Sequence, residues 1–295
     1  MKPWLDLLKL RITTASTVTT LVGYVLARGR CDAGLAAVLA GIMLQACGAA
    51  ALNHVQDAAV DARMRRTARR PIPSGRVRRR DALVLVLALL AVGSGLLALV
   101  SPLAALLGLA AAAVYNGVYT PLKRVSPFAA VPGALIGALP PVAGWVAGGG
   151  HFGDPTIHLV AFFFFIWQIP HFWLLLLFYE KDYGEAGLPS LFDRFDRPQI
   201  VRVTFMWIAA ACVTALLAPL FSLLERPLLT YVLAGAAVVV MVRAVALLRA
   251  GAPASGQTPG RGWRQPFVRS CRLRFMEINT FALLVSALLV TDALL

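Results

Sequence analysis

Three polar residues in the first quarter of the chain have the spacing of one helical face. Asn53, Asp57 and Asp61 follow one another at intervals of four residues, so on a helix they lie about one turn apart on the same side. Nine arginines come after them, between Arg63 and Arg80. Carboxylate and amide oxygens bind Mg²⁺, and guanidinium groups bind phosphate oxygens. The pattern predicts a site for a magnesium-bound phosphate ester, with Asn53, Asp57 and Asp61 as metal ligands.

The same three residues also have a purely structural interpretation, as the solvated end of a helix. In that interpretation Asp61 pairs with Arg65 one turn later. It leaves unexplained why Asn53 and Asp57 stand where an apolar segment meets the membrane interface, a place where acidic side chains are functional candidates. We therefore favour the metal site.

Three basic residues are the candidates for binding phosphate. Arg66 and Arg70 come within a few turns of the acidic face, and Lys123 ends a later apolar segment. The alternative for Lys123 is a lysine that extends to the membrane surface. The arginines at 78–80 are better interpreted as charges that set only the orientation of the protein in the membrane.

A second polar group lies in the sixth apolar segment. Gln168 and His171 are three residues apart, and Asp182 is eleven residues beyond His171, so a helix returns Asp182 to nearly the same face roughly 16 Å away. We expect Asp182 to be a second magnesium ligand at the mouth of the site. The alternative for His171 is a packing residue, and we expect His54 and His151 to lie at the surface.

The composition indicates an integral membrane protein. Of the 295 residues, 59% are hydrophobic and 14% are charged, whereas soluble domains have about 25% charged residues. The net charge of +14 is not arranged as a basic stripe interleaved with aromatic residues, so we expect no nucleic-acid partner. The four cysteines have no paired spacing, which argues against a zinc site or a disulfide framework.

Windows of about 20 apolar residues predict an all-α, polytopic fold of nine transmembrane helices, in a single domain covering residues 1–295. The predicted spans are 10–28, 33–54, 82–100, 102–120, 127–148, 156–179, 200–221, 228–248 and 273–294. We expect the first of them to be a helix of the mature protein and not a cleaved signal peptide. We expect the segment 251–262 to be a polar loop.

The distribution of basic residues predicts the orientation. With the N-terminus in the cytoplasm, only Arg28, Arg30 and Arg226 fall on the outer side, as the positive-inside rule requires. The C-terminus is then outside. The acidic motif, Lys123 and the region around Asp182 share the cytoplasmic side, and we expect them to form one site.

Three motifs together resemble the UbiA superfamily of intramembrane prenyltransferases. They are the Asn53/Asp57/Asp61 face followed by the run from Arg66 to Arg76, the run from Tyr119 to Arg124, and the run from Trp167 to Trp173 leading to Asp182. The resemblance implies nine helices around a central cavity open to the bilayer, and Mg²⁺ as the cofactor. Asn53, Asp57, Asp61, Lys123 and Asp182 would be catalytic.

Within that superfamily, the motifs are similar to the branch that acts on haem. This similarity implies transfer of a farnesyl group from farnesyl diphosphate to the 2-vinyl group of protohaem IX (haem b), with hydration, to give haem O. Gln168 and His171 would lie at the haem end. It also implies a bacterial inner membrane as the location, and it leaves open a haem A synthase as the downstream partner.

Two departures from the family pattern and two alternatives qualify these expectations. Ser190 stands where the family usually carries methionine, and the second acidic motif is reduced to Asp182, which makes a metal at the second motif less secure. One alternative is a related prenyltransferase that acts on an aromatic or quinone precursor. The other is a membrane transporter, although no broken half-helices occupy matching positions in two halves of the chain.

Overall fold

The architecture is taken from a computed structural model, which describes residues 2–65, 67–185, 187, 189–251 and 265–295. Within these ranges, the side chains of residues 178–185, 250–251 and 265–266 are outside the description. Arg66 and the side chain of Asp182 therefore lie outside the described part of the chain.

The described residues form helices and contain no strand. The helices are α1 (Lys2–Leu7), α2 (Leu10–Arg28), α3 (Ala33–Asp61), α4 (Arg79–Ala98), α5 (Pro102–Leu122), α6 (Ala130–Ala147), α7 (Pro155–Glu185), α8 (Arg197–Leu216), α9 (Pro227–Gly251) and α10 (Gln265–Leu294). Short 3₁₀ turns occupy Leu191–Asp193 and Ala218–Phe221. Among the described residues, nine helices, α2 to α10, are long and apolar enough to cross a membrane. The predicted all-α fold of nine spans is confirmed.

One difference from the predicted spans that concerns the site is at the end of α3. The apolar window ends at residue 54, but the helix continues to Asp61. It can continue because the carboxylates of Asp57 and Asp61 are buried against cations from other segments, so the polar end of α3 packs within the protein. The Asn53, Asp57 and Asp61 positions are thus all helical.

Local sequence accounts for several helix starts. The Asp32 carboxylate accepts a hydrogen bond from the Gly34 amide at 3.1 Å and caps α3. Ser101 caps α5 at the Ala104 amide, with Pro102 in the first turn. Asp196 and Gln199 form a reciprocal capping box at the start of α8. Side-chain oxygens at these positions satisfy backbone N–H groups that have no partner within the helix.

Small residues allow α2 and α6 to approach closely. A Cβ atom on Gly23 would lie 1.9 Å from the Pro141 carbonyl oxygen, and one on Gly144 would lie 1.9 Å from the Thr20 carbonyl oxygen. Such contacts are typical of transmembrane helices, which associate through close packing of small residues. The large apolar side chains Val84, Leu87, Leu106 and Val238 are more than half exposed, as expected of residues that contact lipid. The protein is an integral membrane protein.

Candidate active site

The polar residues of α3 lie on one buried face, as their spacing predicts. Asn53, Asp57 and Asp61 have relative exposures of 2%, 4% and 4%. The Asn53 amide donates to Asp57 Oδ2 at 2.9 Å. Buried carboxylates are costly unless cations or hydrogen bonds stabilise them, so the partners of these two acids define the site.

Cations from two other segments supply that stabilisation. Lys123 pairs with Asp57, and Arg124 Nη2 lies 3.2 Å from Asp57 Oδ1. Arg70 Nη1 donates to both oxygens of Asp61, at 2.8 and 2.7 Å. The structure thus brings Arg70 and Lys123 to the acidic face, and it adds Arg124, which the sequence did not single out.

Lys9 is a further site residue that sequence reasoning missed. Its ammonium donates to Asn53 Oδ1 at 2.6 Å and to the Tyr115 hydroxyl at 3.2 Å. Burial, and then repulsion by Arg70 and Lys123, lower the Lys9 pKa from 10.5 to about 7. In the sequence Lys9 counts only as one of the basic residues at the cytoplasmic end of the first span, and no spacing relates it to Asn53.

The backbone at Lys9 explains how this side chain reaches the site. Lys9 separates α1 from α2 and has φ of +47°. The left-handed region is unfavourable for a lysine, and such strain concentrates at functional sites. The break turns α1 across the end of α3 and directs the ammonium at Asn53.

A π-helical turn in α5 prepares the Lys123 position. Residues Val114–Tyr119 are π-helical, a feature frequent at functional sites. Immediately after it, the Thr120 hydroxyl accepts a hydrogen bond from the Asn53 amide at 2.9 Å and donates to the Tyr115 carbonyl at 2.8 Å. Lys123 follows three residues later, at the end of the helix. The turn therefore ties the α5 end to the acidic face of α3.

The segment after α3 folds back to place Arg70. The Thr67 hydroxyl donates to the Asp61 carbonyl at 3.0 Å, and the Ser74 hydroxyl donates to the Arg70 carbonyl at 2.7 Å. Gly75 has φ of +73°, a conformation that glycine adopts without strain. These turns return Arg70 to Asp61, and Arg66 lies outside the described residues.

A cavity of about 350 Å³ borders the acidic face on the side of α1. Its lining is basic on balance and consists of Asp6, Lys9, Ile12, His54, Arg69, Arg70 and Pro71. His54 is 3% exposed, so the expectation that it lies at the surface is wrong. The cause is α1, which covers this side of α3 and places Leu7 in one apolar cluster with Val55. His151 is exposed, as expected.

A row of aromatic rings leads from the carboxylates to His171. Tyr115 stacks on Tyr119 with ring centroids 5.9 Å apart, and Tyr119 stacks on Phe172 at 5.9 Å. Phe172 contacts His171 edge to face at 5.6 Å. Lys123 lies 5.6 Å from the Tyr119 centroid. The carboxylate cluster and His171 are thus the two ends of one continuous surface.

At the far end of this row, His171 and Gln168 contact different helices. His171 Nδ1 lies 2.9 Å from Asn279 Oδ1 on α10. Gln168 packs on α6, where a Cβ on Gly137 would lie 1.8 Å from its Oε1. Both side chains are partly buried. The structure therefore packs His171 against α10 and Gln168 against α6, and it adds Asn279 to the surroundings of His171.

The polar segment after α7 lies on the same side as the acidic cluster. Phe195 contacts Phe128, which follows α5, with ring centroids 6.0 Å apart. Asp182 lies on α7 towards this end, and its role as a metal ligand stays a prediction because its side chain is outside the described residues. Ser190, the departure from the family pattern, starts a 3₁₀ turn in a capping box with Asp193.

The donor set on α3 fits magnesium. Two carboxylates and one amide supply hard oxygen atoms, and Mg²⁺ is commonly held by one or two carboxylates, with water and substrate phosphates completing its shell. In the part of the chain that is described, no cluster of three or more His, Cys, Asp and Glu side chains occurs. The donors therefore suit a metal shared with a phosphate ligand better than a closed protein cage.

Comparison with known proteins agrees with this geometry. Residues 16–259 match the model of the UbiA prenyltransferase family. The chain is 44% identical over 192 residues to the protoheme IX farnesyltransferase of Nitratidesulfovibrio vulgaris, covering 65% of this chain and 67% of that one. It is 38% identical over 222 residues to the protoheme IX farnesyltransferase of Geobacter sulfurreducens, covering 75% and 82%.

A solved structure has the same fold. The UbiA homologue from Archaeoglobus fulgidus bound to GPP and Mg²⁺ superposes with a TM-score of 0.66 at 16% identity, covering 99% of both chains. The family match covers most of the chain and includes the acidic face with Arg70, Lys123 and Arg124. The chain belongs to the UbiA family of prenyltransferases.

Proposed function

We propose that this enzyme transfers the farnesyl group of farnesyl diphosphate to the 2-vinyl group of haem b in a Mg²⁺-dependent reaction, with addition of water, to give haem O. The observation that carries the proposal is the continuous surface from the buried Asp57/Asp61 cluster along the aromatic row to His171. The relatives named protoheme IX farnesyltransferase support haem b as the acceptor.

The charge balance of the cluster suits a diphosphate. Two carboxylates, Asp57 and Asp61, are surrounded by Arg70, Lys123, Arg124 and Lys9. The cations therefore outnumber the acids, and an anionic ligand would balance them. Arginine and lysine would exchange part of their contact with the carboxylates for contact with phosphate oxygens. Asn53, Asp57, Asp61 and Asp182 would hold Mg²⁺, which would neutralise charge that develops on the leaving diphosphate.

The proposed reaction needs no nucleophilic side chain. The bond between C1 of the farnesyl group and the diphosphate oxygen breaks, and its electron pair leaves with the diphosphate. The vinyl π electrons form the new bond to C1 and leave a cation on the vinyl carbon next to the porphyrin. Water adds its oxygen there and loses one proton, so the step involves no oxidation or reduction.

The residues between the two ends would protect the cationic intermediates. Arg70 and Lys123 stabilise the departing charge at one end. The faces of Tyr115, Tyr119 and Phe172 stabilise positive charge and exclude water until the new bond has formed. Premature capture by water would give farnesol instead of haem O.

We also propose that the protein resides in the bacterial cell membrane, with the N-terminus and the site in the cytoplasm and the C-terminus outside. The cations of the site lie on the side of the molecule that carries most of its basic residues. Arg28, Arg30 and Arg226 are the basic residues assigned to the opposite side. The haem product would pass to an enzyme that oxidises it further, for which a haem A synthase is the candidate.

Diphosphate release tests this proposal against the two alternatives. Membranes containing the protein are incubated with farnesyl diphosphate and Mg²⁺, with haem b or with an aromatic quinone precursor as acceptor. We expect diphosphate release that requires both Mg²⁺ and haem b. Release with the quinone precursor alone would identify a different prenyltransferase, and movement of a ligand without release would indicate a transporter.

A further inference from the structure

Asn279 on α10 is the hydrogen-bonding partner of His171, and its own helix fixes its orientation. The Asn279 amide nitrogen donates to the Phe275 carbonyl at 2.5 Å. The amide oxygen therefore faces His171 Nδ1, 2.9 Å away. An amide oxygen only accepts hydrogen bonds, so the proton of this bond belongs to Nδ1.

This assignment determines the state of the other ring nitrogen. A neutral imidazole carries one proton, and with Nδ1 protonated Nε2 has a free lone pair. Within the described part of the chain, the His171 ring makes one hydrogen bond, the bond between Nδ1 and Asn279. Nε2 is therefore left available to a ligand.

Neighbouring rings hold the imidazole in place. Trp167 Nε1 donates to the Ile278 carbonyl at 2.8 Å, which ties α7 to α10 beside His171. The His171 ring centroid lies 5.1 Å from that of Trp167 and 4.8 Å from that of Phe275. Because the ring and its hydrogen-bond partner are both fixed, Nε2 has a defined direction before any ligand arrives.

We propose that Asn279 is a positioning residue that keeps His171 protonated at Nδ1, so that Nε2 binds the iron of the haem acceptor. This inference rests on the proposed function. Histidines that ligate metals generally donate their second ring N–H to an oxygen acceptor, and this fixes the tautomer and ring orientation. The Asn279 amide oxygen supplies that acceptor, although nothing in the spacing along the sequence relates residue 279 to residue 171.

Ligation at this position would orient the acceptor for the transfer. His171 lies at one end of the aromatic row, and the Asp57/Asp61 cluster lies at the other. An iron held at Nε2 leaves the porphyrin to extend along Phe172 and Tyr119 towards the diphosphate, where the vinyl group must meet C1 of the farnesyl chain. The histidine would thus fix one substrate while the cations fix the other.

The test uses the full-length protein in lipid nanodiscs, loaded with haem b without farnesyl diphosphate. The readouts are haem affinity and the iron–histidine stretching band of the ferrous complex in resonance Raman spectra. The variants are Asn279→Leu, which removes the acceptor, and Asn279→Asp, which keeps one. His171→Ala removes the ligand. Ser286→Ala is the control, because Ser286 is a buried polar residue on α10 whose hydroxyl, within the described part of the chain, donates to the Ala282 carbonyl of its own helix.

We expect Asn279→Leu to lower the iron–histidine frequency and to weaken haem binding by about tenfold or more, the usual effect of losing a partner of a metal ligand. Asn279→Asp should restore both, His171→Ala should abolish the band, and Ser286→Ala should change neither. An unchanged band in Asn279→Leu, or a wild-type spectrum in His171→Ala, would overturn this inference while the proposed function stands. A wild-type protein that binds no haem b would overturn both.

Discussion

At the scale of single residues, the two aspartates of α3 have a role that their isosteric amides cannot fill. Asp57→Asn and Asp61→Asn keep the shape but remove the charge that balances Lys123 and Arg70 and that, in the proposed function, would bind Mg²⁺. We expect each variant to lose at least about 100-fold in farnesyl transfer, the size of effect seen when one charge-stabilising group is removed. Transfer assays on membranes with equal amounts of inserted protein measure this loss.

The matched control for these variants is Asp154→Asn. Asp154 is a partly exposed residue directly before α7. Its carboxylate accepts a hydrogen bond from the Thr156 amide at 2.8 Å, and the Asp154 pKa is lowered by that contact rather than by any group of the site. It should leave transfer unchanged. Near-normal activity in either α3 variant at ordinary Mg²⁺ concentration would contradict the assignment of these aspartates.

The basic residues of the cluster should act on one substrate only. Lys123→Ala, Arg70→Lys and Lys9→Ala each remove a contact at the proposed diphosphate end, and lysine does not reproduce the paired donors of arginine. We expect the KM for farnesyl diphosphate to rise about tenfold or more while the KM for haem b changes little. Steady-state kinetics with each substrate varied in turn checks this, and equal effects on both substrates would speak against it.

Arg80→Ala is the control for these variants, since Arg80 is exposed at the start of α4. The Arg80→Ala variant removes one positive charge on the same side of the membrane, as the other variants do, but it removes no contact to the carboxylates. A comparable rise in KM from Arg80→Ala would mean that the cluster acts through general charge and not through defined contacts.

The sequence revealed the site residues that share one helix but not those that reach the site from other segments. The four-residue spacing identified the acidic face because all three residues share one helix. Lys9, Arg124 and Asn279 were missed, since each reaches its partner from a different helix or segment and only the folded arrangement brings them together. His54 was misplaced for the same reason, because its burial depends on α1.

At the scale of helices, close packing between α2 and α6 should limit stability. Gly23→Ala places a methyl group against the Pro141 backbone, where relief requires the helices to separate. Overpacking of this kind costs about 1–3 kcal/mol, so we expect a lower unfolding temperature in detergent, measured by the loss of helical circular dichroism on heating. Gly95→Ala on α4 is the control, because nothing lies within 4 Å of its added Cβ.

For Gly95→Ala we expect an unfolding temperature equal to or above that of the wild type, since alanine favours helix more than glycine does. If Gly23→Ala has the same unfolding temperature as Gly95→Ala, the close contact between α2 and α6 contributes less to stability than its geometry implies.

The helices themselves were largely predictable, because each span needs about 20 apolar residues and is read directly from composition. The π-helical turn of α5 was not, and the extension of α3 to Asp61 lies beyond the apolar window and was indicated only by the four-residue spacing of its polar residues. Thr120 joins Asn53 to α5, and Arg70 returns to Asp61 after the chain reverses. Hydropathy along the sequence does not reveal either contact.

At the scale of the whole molecule, the proposed orientation can be tested with the native cysteines. Cys31 is exposed in the connection between α2 and α3, while Cys47, Cys212 and Cys271 are buried. A membrane-impermeant maleimide added to spheroplasts should therefore label the wild-type protein, and Cys31→Ser should lose the label. Ser74→Cys, introduced with Cys31→Ser at an exposed position near Arg70, should be labelled only after the membrane is opened.

The reverse pattern, with Ser74→Cys labelled in intact spheroplasts and Cys31 protected, would place the site on the outer side. Such a result would contradict the orientation inferred from the basic residues, while leaving the fold and the family unaffected.

The mass of the haem product tests the central claim most directly. Membranes containing the protein are incubated with haem b, farnesyl diphosphate and Mg²⁺, and the extracted haems are separated and analysed by mass spectrometry, with Asp57→Asn membranes as the control. We predict a product heavier than haem b by one farnesyl group and one hydroxyl group, absent from the control and absent when Mg²⁺ is chelated. Recovery of haem b alone, with the farnesyl group on another acceptor or released as farnesol, would contradict the account.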